Sequence, residues 1–506
     1  MNFLSLIILV FAPLVAALIV AGPWFSDDET KIRKFSTGFS AVLFIYSLFF
    51  LFGYKPLEKG LQFVQTLKVP GGDGWIQSMG INFSLGVDGI SLILVVLTTF
   101  LVLLACIASK DSIVKRYKFY YSMIFMLTTA VLGVFTSKDL FLFFLFWELE
   151  LIPMYFLIAV WGSGRKEYSA IKFVLYTFTG SIFMLASILA VYFYHHTQTD
   201  IFTFDLSTLL AHKYAYPVIF ELMVFWGFFL GFAVKLPVVP LHTWLPDAHV
   251  DAPTPVSMLL AGILLKMGGY GLVRMNAQML PDALKILAPV IIILGLINII
   301  YAAIVTFAQD DLKKLVAYSS VSHMGIVLLG LGTLNVAGVS GAVFQMFSHG
   351  VISAGLFMMV GVIYLRAKTR SITELSGIGQ KAPKIFYFSM LITLASLGLP
   401  FLIGFAAEVL TFIGAFTSKV FIHPVSIQGL TVIAIFGIIL TASYLLWMLK
   451  RVFFGPLSEN LQNMTDLNFG EIVVFASLVF VIVVFGVCPS AITNIFVPTI
   501  STVMFR

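Results

Sequence analysis

Gly231-Phe-Ala-Val-Lys-Leu-Pro-Val-Val-Pro-Leu-His-Thr-Trp244 is an apolar run that carries a lysine and then meets two prolines. Proline lacks an N–H, so Pro237 and Pro240 leave the carbonyls of Ala233 and Leu236 without their helical donors. The run is predicted to be a helix that breaks just after Lys235. Freed carbonyls beside an ammonium suit water and a mobile proton. A lysine snorkelling from a helix end is the plainer alternative. It is weakened because apolar or weakly polar sequence continues to Trp244.

The rest of the chain is equally apolar. Its 506 residues are 60% hydrophobic and 11% charged, with a mean hydropathy of +1.03. A soluble domain carries about 25% charged residues. The composition therefore reads as an all-α integral membrane protein. Apolar runs long enough for a membrane helix fall near 2–22, 36–54, 87–108, 119–137, 140–162, 168–194, 217–238, 254–274, 284–307, 312–333, 337–365, 384–416, 428–449 and 471–498, about 14 spans. The first lacks a charged segment before it and a small-residue cleavage site, so it reads as a retained helix. Span 384–416 is too long for one straight helix and holds Gly398, Pro400 and Gly404, so a second broken helix is expected there. Cys106 and Cys488 both lie in apolar spans and offer neither a disulfide framework nor metal spacing. The net charge of +6 is scattered over short loops and gives no nucleic-acid signal.

Basic residues cluster after odd-numbered spans, as in Lys31, Arg33, Lys34, Lys110, Lys115, Arg116, Lys118, Arg366, Lys368 and Arg370. The positive-inside bias then puts those loops in the cytoplasm and both termini outside. A faint internal repeat is also present. Asp139 and Asp311 open the fifth and tenth spans, and Tyr192 and Tyr364 fall near the ends of the sixth and eleventh. Lys235 and Glu408 are separated by nearly the same interval. An offset of five spans reverses the sense of crossing, which predicts two inverted five-helix repeats. The domains expected are 1–117 (three N-terminal helices), 118–276 (first repeat), 277–453 (second repeat) and 454–506 (C-terminal helix).

Glu148, Lys235, Lys266 and Glu408 lie deep in these spans. A charge at mid-membrane costs roughly 2.5–3.5 kcal/mol on insertion scales, so such groups pair, meet water or move ions. Glu148 lies among apolar neighbours, and a static ion pair locking two helices is its bland reading. Glu150 is about 200° around the helix from it and reads as a second polar contact, peripheral to that face, with an interhelical or subunit-facing role as the plainer alternative. Lys266 is some 18 Å into its span, where snorkelling is hardest, and the surrounding glycines favour a bundle-facing side. Lys172, His323 and His349 are the other ionisable candidates. A buried histidine is more often a bonded core residue than a proton shuttle, but together these groups could form a polar line parallel to the membrane. His242, Asp247, His249 and Asp251 could bind a divalent ion, yet Pro246, Pro253 and Pro255 make a structured loop the better reading. No nucleotide-binding glycine loop, haem motif or iron–sulfur cysteine set is present in the sequence.

Several blocks together resemble one family. They are Trp147-Glu148 with Pro153, Val234 to His249, Ala252-Pro-Thr, Ala261 to Lys266, Asp310 to Gly325, Gly86 to Leu92, and Phe347 to Gly350. In combination they resemble the antiporter-like membrane subunits of respiratory complex I, the proton-translocating NADH-quinone oxidoreductase. Two of its three such subunits, and the related multisubunit sodium/proton antiporters, typically carry Lys in the broken twelfth helix; the third carries Glu, as this chain does in Gly404-Phe-Ala-Ala-Glu408. The resemblance implies a Glu148–Lys235 pair, Lys266 as a central relay, Glu408 as the terminal group, and His323 and His349 connecting them through water. It implies no cofactor in this chain, with NADH, FMN, iron–sulfur clusters and quinone in partner subunits. It also implies neighbours such as the antiporter-like chains L and N, the lipid bilayer as surroundings, and a bacterial inner membrane. A sodium/proton antiporter subunit is the alternative, and Glu408 argues against it. A scaffold would not need mid-depth charges in both repeats, and a solute transporter would need a substrate pocket that the sequence does not show.

Overall fold

Long apolar runs bounded by aspartate, proline and glycine give helices almost throughout. The computed structural model describes residues 4–25, 28–67, 75–212, 216–422 and 425–504. Residues 2 and 3 of the first span lie outside them. The N-terminal helices are α1 (Leu6–Ala21), α2 (Glu29–Gly53) and α3 (Gly89–Ser112). Between α2 and α3 the chain forms an antiparallel hairpin, β1 (Gln62–Leu67) with β2 (Phe83–Val87). Then come α4 (Tyr117–Thr136), α5 (Leu140–Leu149), α6 (Leu151–Trp161), α7 (Lys166–Thr199), the short α8 (Leu206–Ala211), α9 (Val218–Lys235) and α10 (Trp244–Asp251). Helices α11 (Thr254–Leu259) and α12 (Leu265–Gly271) are joined by a wide π turn, Leu260–Leu264, and run on through Leu272–Met279 as one rod. The second half holds α13 (Pro281–Phe307), α14 (Leu312–Gly332), α15 (Val336–Ala367), α16 (Ile378–Lys381), α17 (Pro383–Ser396), α18 (Ile403–Thr417) and α19 (Ile427–Phe453). Two helices close the chain, α20 (Phe469–Val487) and α21 (Ser490–Met504). Twelve of the described helical segments are long and apolar enough to cross a membrane.

The expected breaks are present. Helix α9 stops at Lys235, and span 384–416 divides into α17 and α18. Two departures have simple causes. The segment 471–498 is two helices rather than one, because Pro489 lacks an N–H and forces Cys488 out of the helical region (φ −121, ψ 68). The proline-rich segment after Trp244 is a helix, α10, rather than a loop, since Pro246 sits in its first turn where no donor is needed.

Asp139 and Asp311 do the same work. The Asp139 carboxylate accepts the N–H groups of Phe141 and Leu142, and that of Asp311 accepts those of Lys313 and Lys314. Each helix start is also bonded to a strand-like segment further along the chain, Leu140 N–H to Phe204 C=O and Leu312 N–H to Arg370 C=O.

The central rod and all but the ends of α15 are buried. They approach backbone to backbone at Gly262 and Gly350. A Cβ on Gly350 would lie 2.9 Å from the Gly262 carbonyl oxygen and 2.7 Å from a Leu97 methyl carbon. This approach places Lys266, one turn beyond Gly262, against His349. Overfilling such a contact costs about 1–3 kcal/mol. Gly350→Val is therefore expected to lower the melting temperature of the assembled protein and to reduce its proton movement, with Gly350→Ala milder. Unchanged melting and transport in the valine variant would remove the claim that this contact sets the position of Lys266.

Candidate functional site

Lys235 ends α9 with 1% exposure, and its ammonium bonds Glu150 Oε1. Glu150 is fully buried at the turn between α5 and α6, where Pro153 provides no N–H to continue the ladder to Leu149. This corrects the sequence reading on two points. Glu150 is not peripheral, and the direct partner of Lys235 is not Glu148. Glu148 is half-buried; among the described residues its Oε1 has no hydrogen-bond partner, while its charge still acts on Lys235. The helix turn that put the two carboxylates on different faces also put the wrong one outside. The rings of Trp147 and Phe173 are 5.5 and 5.1 Å from the Lys235 nitrogen. Aromatic faces attract a cation.

The break after Lys235 is closed by polar groups. Val238 N–H donates to the Ala233 carbonyl freed by Pro237, and Trp244 Nε1–H donates to the Val234 carbonyl. Asn298, fully buried on α13, accepts from Val239 N–H at 2.8 Å and donates to the Pro237 carbonyl at 3.1 Å. Sequence reading missed this residue. Its signal was a lone amide in the run Leu294 to Ala303.

Lys266 is fully buried. Its ammonium bonds the Ala261 carbonyl, in the π turn five residues back, and lies 2.7 Å from His349 Nδ1. Because the ammonium donates, Nδ1 accepts and the ring carries its proton on Nε2. The His349 and His323 rings are 5.7 Å apart. His323 Nε2 is 3.2 Å from Ser396 Oγ, and the Gln345 amide donates to Nδ1 at 3.4 Å. Glu408 Oε1 is 3.9 Å from that same Nδ1. A small internal cavity lined by His323, His349, Gln345, Ser396 and Glu408 joins these groups. Gly398 (φ +73) lets the chain turn tightly there, and a Cβ on it would meet Glu408 Oε2 at 2.5 Å. Only glycine suits that backbone and that space.

Four expected site residues, Lys266, His349, His323 and Glu408, are thus brought into one line. Lys235 lies apart from it with Glu150, although α12 packs on α9 closely enough that a Cβ on Gly268 would touch the Phe232 carbonyl. Lys172 does not join the line. It is partly exposed and bonds Asp247 on α10 at 2.7 Å, beside Tyr168 and Tyr176. The possible metal ligands separate as well. Asp247 faces Lys172, Asp251 accepts from Ser169 Oγ at 2.6 Å, and His249 stacks on Phe357. A further charge the sequence reading overlooked is Arg274, at the end of the rod, which bonds the buried carboxylate of Asp88.

Residues 137–441 match the family described as NADH:quinone oxidoreductase/Mrp antiporter, TM, and residues 63–136 match NADH-ubiquinone oxidoreductase chain 4, amino terminus. NAD(P)H-quinone oxidoreductase chain 4 2 of Synechococcus sp. (strain JA-2-3B'a(2-13)) is 45% identical over 471 residues, 92% of this chain and 85% of that protein. NAD(P)H-quinone oxidoreductase chain 4 of Acaryochloris marina is 43% identical over 495 residues, 96% of this chain and 90% of that one. Among solved structures, a chain of respiratory complex I from Thermus thermophilus with bound NADH matches with a TM-score of 0.86 at 25% identity, covering 99% of this chain and 100% of that chain.

The Glu150 pairing can be tested directly. Removing one partner of a buried ion pair costs about 3–5 kcal/mol, because it strands the other charge. Glu150→Gln is therefore expected to impair proton pumping at least as severely as Glu148→Gln. The check is vesicle acidification by the intact complex, with assembly followed on native gels. Full pumping by Glu150→Gln beside a loss in Glu148→Gln would return Lys235 to Glu148.

Proposed function

The chain belongs to the NAD(P)H-quinone oxidoreductase chain 4 family of respiratory complex I, and from that premise we propose that its buried charges are the stations of a proton path. It is a multi-pass integral membrane subunit of a multisubunit, proton-translocating oxidoreductase. Among the antiporter-like subunits it corresponds to chain M, the one that carries Glu at position 408.

The observation that carries the reading is the continuous set Lys266, His349, His323 and Glu408, held by contacts of 2.7 Å at one end and 3.9 Å at the other. A proton arriving at His349 or His323 can enter one ring nitrogen and leave by the other. Protonating His323 at Nδ1 displaces the Gln345 amide and turns a charged ring toward Glu408. Glu408 is the terminal group toward the outside. Lys235, held by Glu150 and influenced by Glu148, is the electrostatic control of the line: shifting the lysine between two carboxylates changes the field at Lys266. Lys172, paired with Asp247, lies off the line and serves the surface near α10.

The driving reaction belongs to partner subunits. These hold the NADH site, FMN, iron–sulfur clusters and quinone, and antiporter-like chains L and N flank this one. The two units 118–276 and 277–453 are related by inversion, the membrane is the bacterial inner membrane, and both termini face away from the cytoplasm. Charge bias in the loops supports that orientation.

Lys266→Arg separates a relay from a fixed charge. Arginine keeps the cation but does not release its proton in a protein. Proton uptake driven by NADH oxidation should fall as far as it does in Lys266→Ala. Glu408→Gln should abolish transfer through this subunit, while Glu408→Asp retains part of it. If Lys266→Arg and Glu408→Gln both pump like the unmodified complex, these residues carry no protons.

A further inference from the structure

Between α2, α3 and α20, at the foot of α21, lies a groove of about 610 Å³. Among the described residues its lining is apolar except for Ser477, whose hydroxyl is already spent on the Val473 carbonyl at 2.8 Å. Water needs two to four polar partners to settle in a cavity and finds none here. A dry cavity of about 150 Å³ lined by Leu, Ile and Phe takes up benzene, so this groove has room for roughly four such rings, the bulk of a hydrocarbon chain. Left empty, its walls would lose the dispersion contacts that a close-packed interior makes.

The depth of the groove selects its occupant. It is lined by residues from 44 to 51 of α2, from 93 to 100 of α3 and from 476 to 485 of α20. At 1.5 Å per residue these stretches run about 10–14 Å. One leaflet is half of a hydrocarbon core of about 30 Å. A membrane-spanning helix of a partner would need a groove twice as long. All three stretches lie in the half of the chain away from the basic loops, since α2 ends there, α3 begins there and α20 arrives there from the other side. At that end the groove is capped by Ile492 and Ile495 of α21, the helix that follows the Pro489 bend. The cap is fixed in place: Gly89 N–H donates to Thr499 Oγ1 at 3.2 Å, and a Cβ on Gly89 would run into the Ile495 carbonyl. On its open side the groove meets the most exposed spans. Among the membrane-length helices α2 and α20 are the least buried, and Ile45, Phe49 and Phe480 on its lips are more than half exposed.

We propose that this groove holds one acyl chain of a phospholipid, drawn from the leaflet away from the basic loops and retained as part of the folded subunit. The chain enters sideways between α2 and α20, rests on Leu97 and Phe347, and fills the space beneath α21.

The test uses the intact complex in vesicles of phosphatidylethanolamine and phosphatidylglycerol that contain a phosphatidylethanolamine with a diazirine midway along one acyl chain. The complex is equilibrated with this lipid, transferred to probe-free vesicles and then illuminated, and labelled residues are read by mass spectrometry. A retained chain labels Val96, Leu97, Val481 and Phe485 several-fold above Ile45 and Phe49, which meet only exchanging lipid. Ala476→Trp, on the exposed lip, plugs the groove without entering the core and should bring the groove label down to that of Ile45 and Phe49. Loss of label from groove and lip together on transfer overturns the proposal, as does a groove label that Ala476→Trp leaves unchanged. Absence of groove label even before transfer also overturns it, because a neighbouring subunit then fills the space. Should Ala476→Trp not assemble, the comparison of groove with lip in the unmodified complex decides.

Discussion

An ammonium in hydrocarbon must find an anion, a dipole or a neutral base within bonding distance. The architecture around Lys235 and Lys266 follows from that constraint. Lys235 takes an anion. Its helix stops at the lysine, and the neighbouring chain turns at Glu150 so that a carboxylate can reach it. Lys266 takes dipoles and a base instead. A π turn offers the Ala261 carbonyl, and the Gly262–Gly350 approach brings in His349. The irregularities in these helices lie where the charges are.

The two lysines are therefore held in different electrostatic currencies. A Lys–Glu pair has no net charge when both are ionised, and its strength changes with small movements of either partner. A Lys–His contact carries one proton that either group can hold. The first arrangement suits control and the second suits transport. Separating them along the bundle lets one be adjusted without dismantling the other.

Much of this was legible in the sequence. Prolines 237 and 240 announced the break at Lys235, and Gly398, Pro400 and Gly404 announced the one before Glu408. The mid-span charges were visible because hydropathy makes them stand out. Glu150 was misjudged because an ideal helix turn puts residues two apart on different faces, and that argument does not say which face meets Lys235. Asn298, Gln345 and Ser396 escaped notice because uncharged polar residues in a membrane span do not stand out by charge. His249 was weighed as a metal ligand against a structured loop, since a one-dimensional pattern does not reveal that a ring is buried with both nitrogens unmet among the described residues. The divided C-terminal segment was signalled by Pro489, which the length of the apolar run overrode.

Asn298 belongs to the second half of the chain, yet it makes two bonds to the break in the first, and at a longer 3.4 Å it also reaches the Val321 carbonyl on α14. It works as a rivet through three layers: the α9 break, α13 and α14. The Pro237 carbonyl it holds is two residues from Lys235, and Ser322, the neighbour of Val321, is followed directly by His323. The break that follows Lys235 and the helix that carries His323 are thus fastened to one amide. A displacement of either helix is geared mechanically to the other, without any charge passing between them.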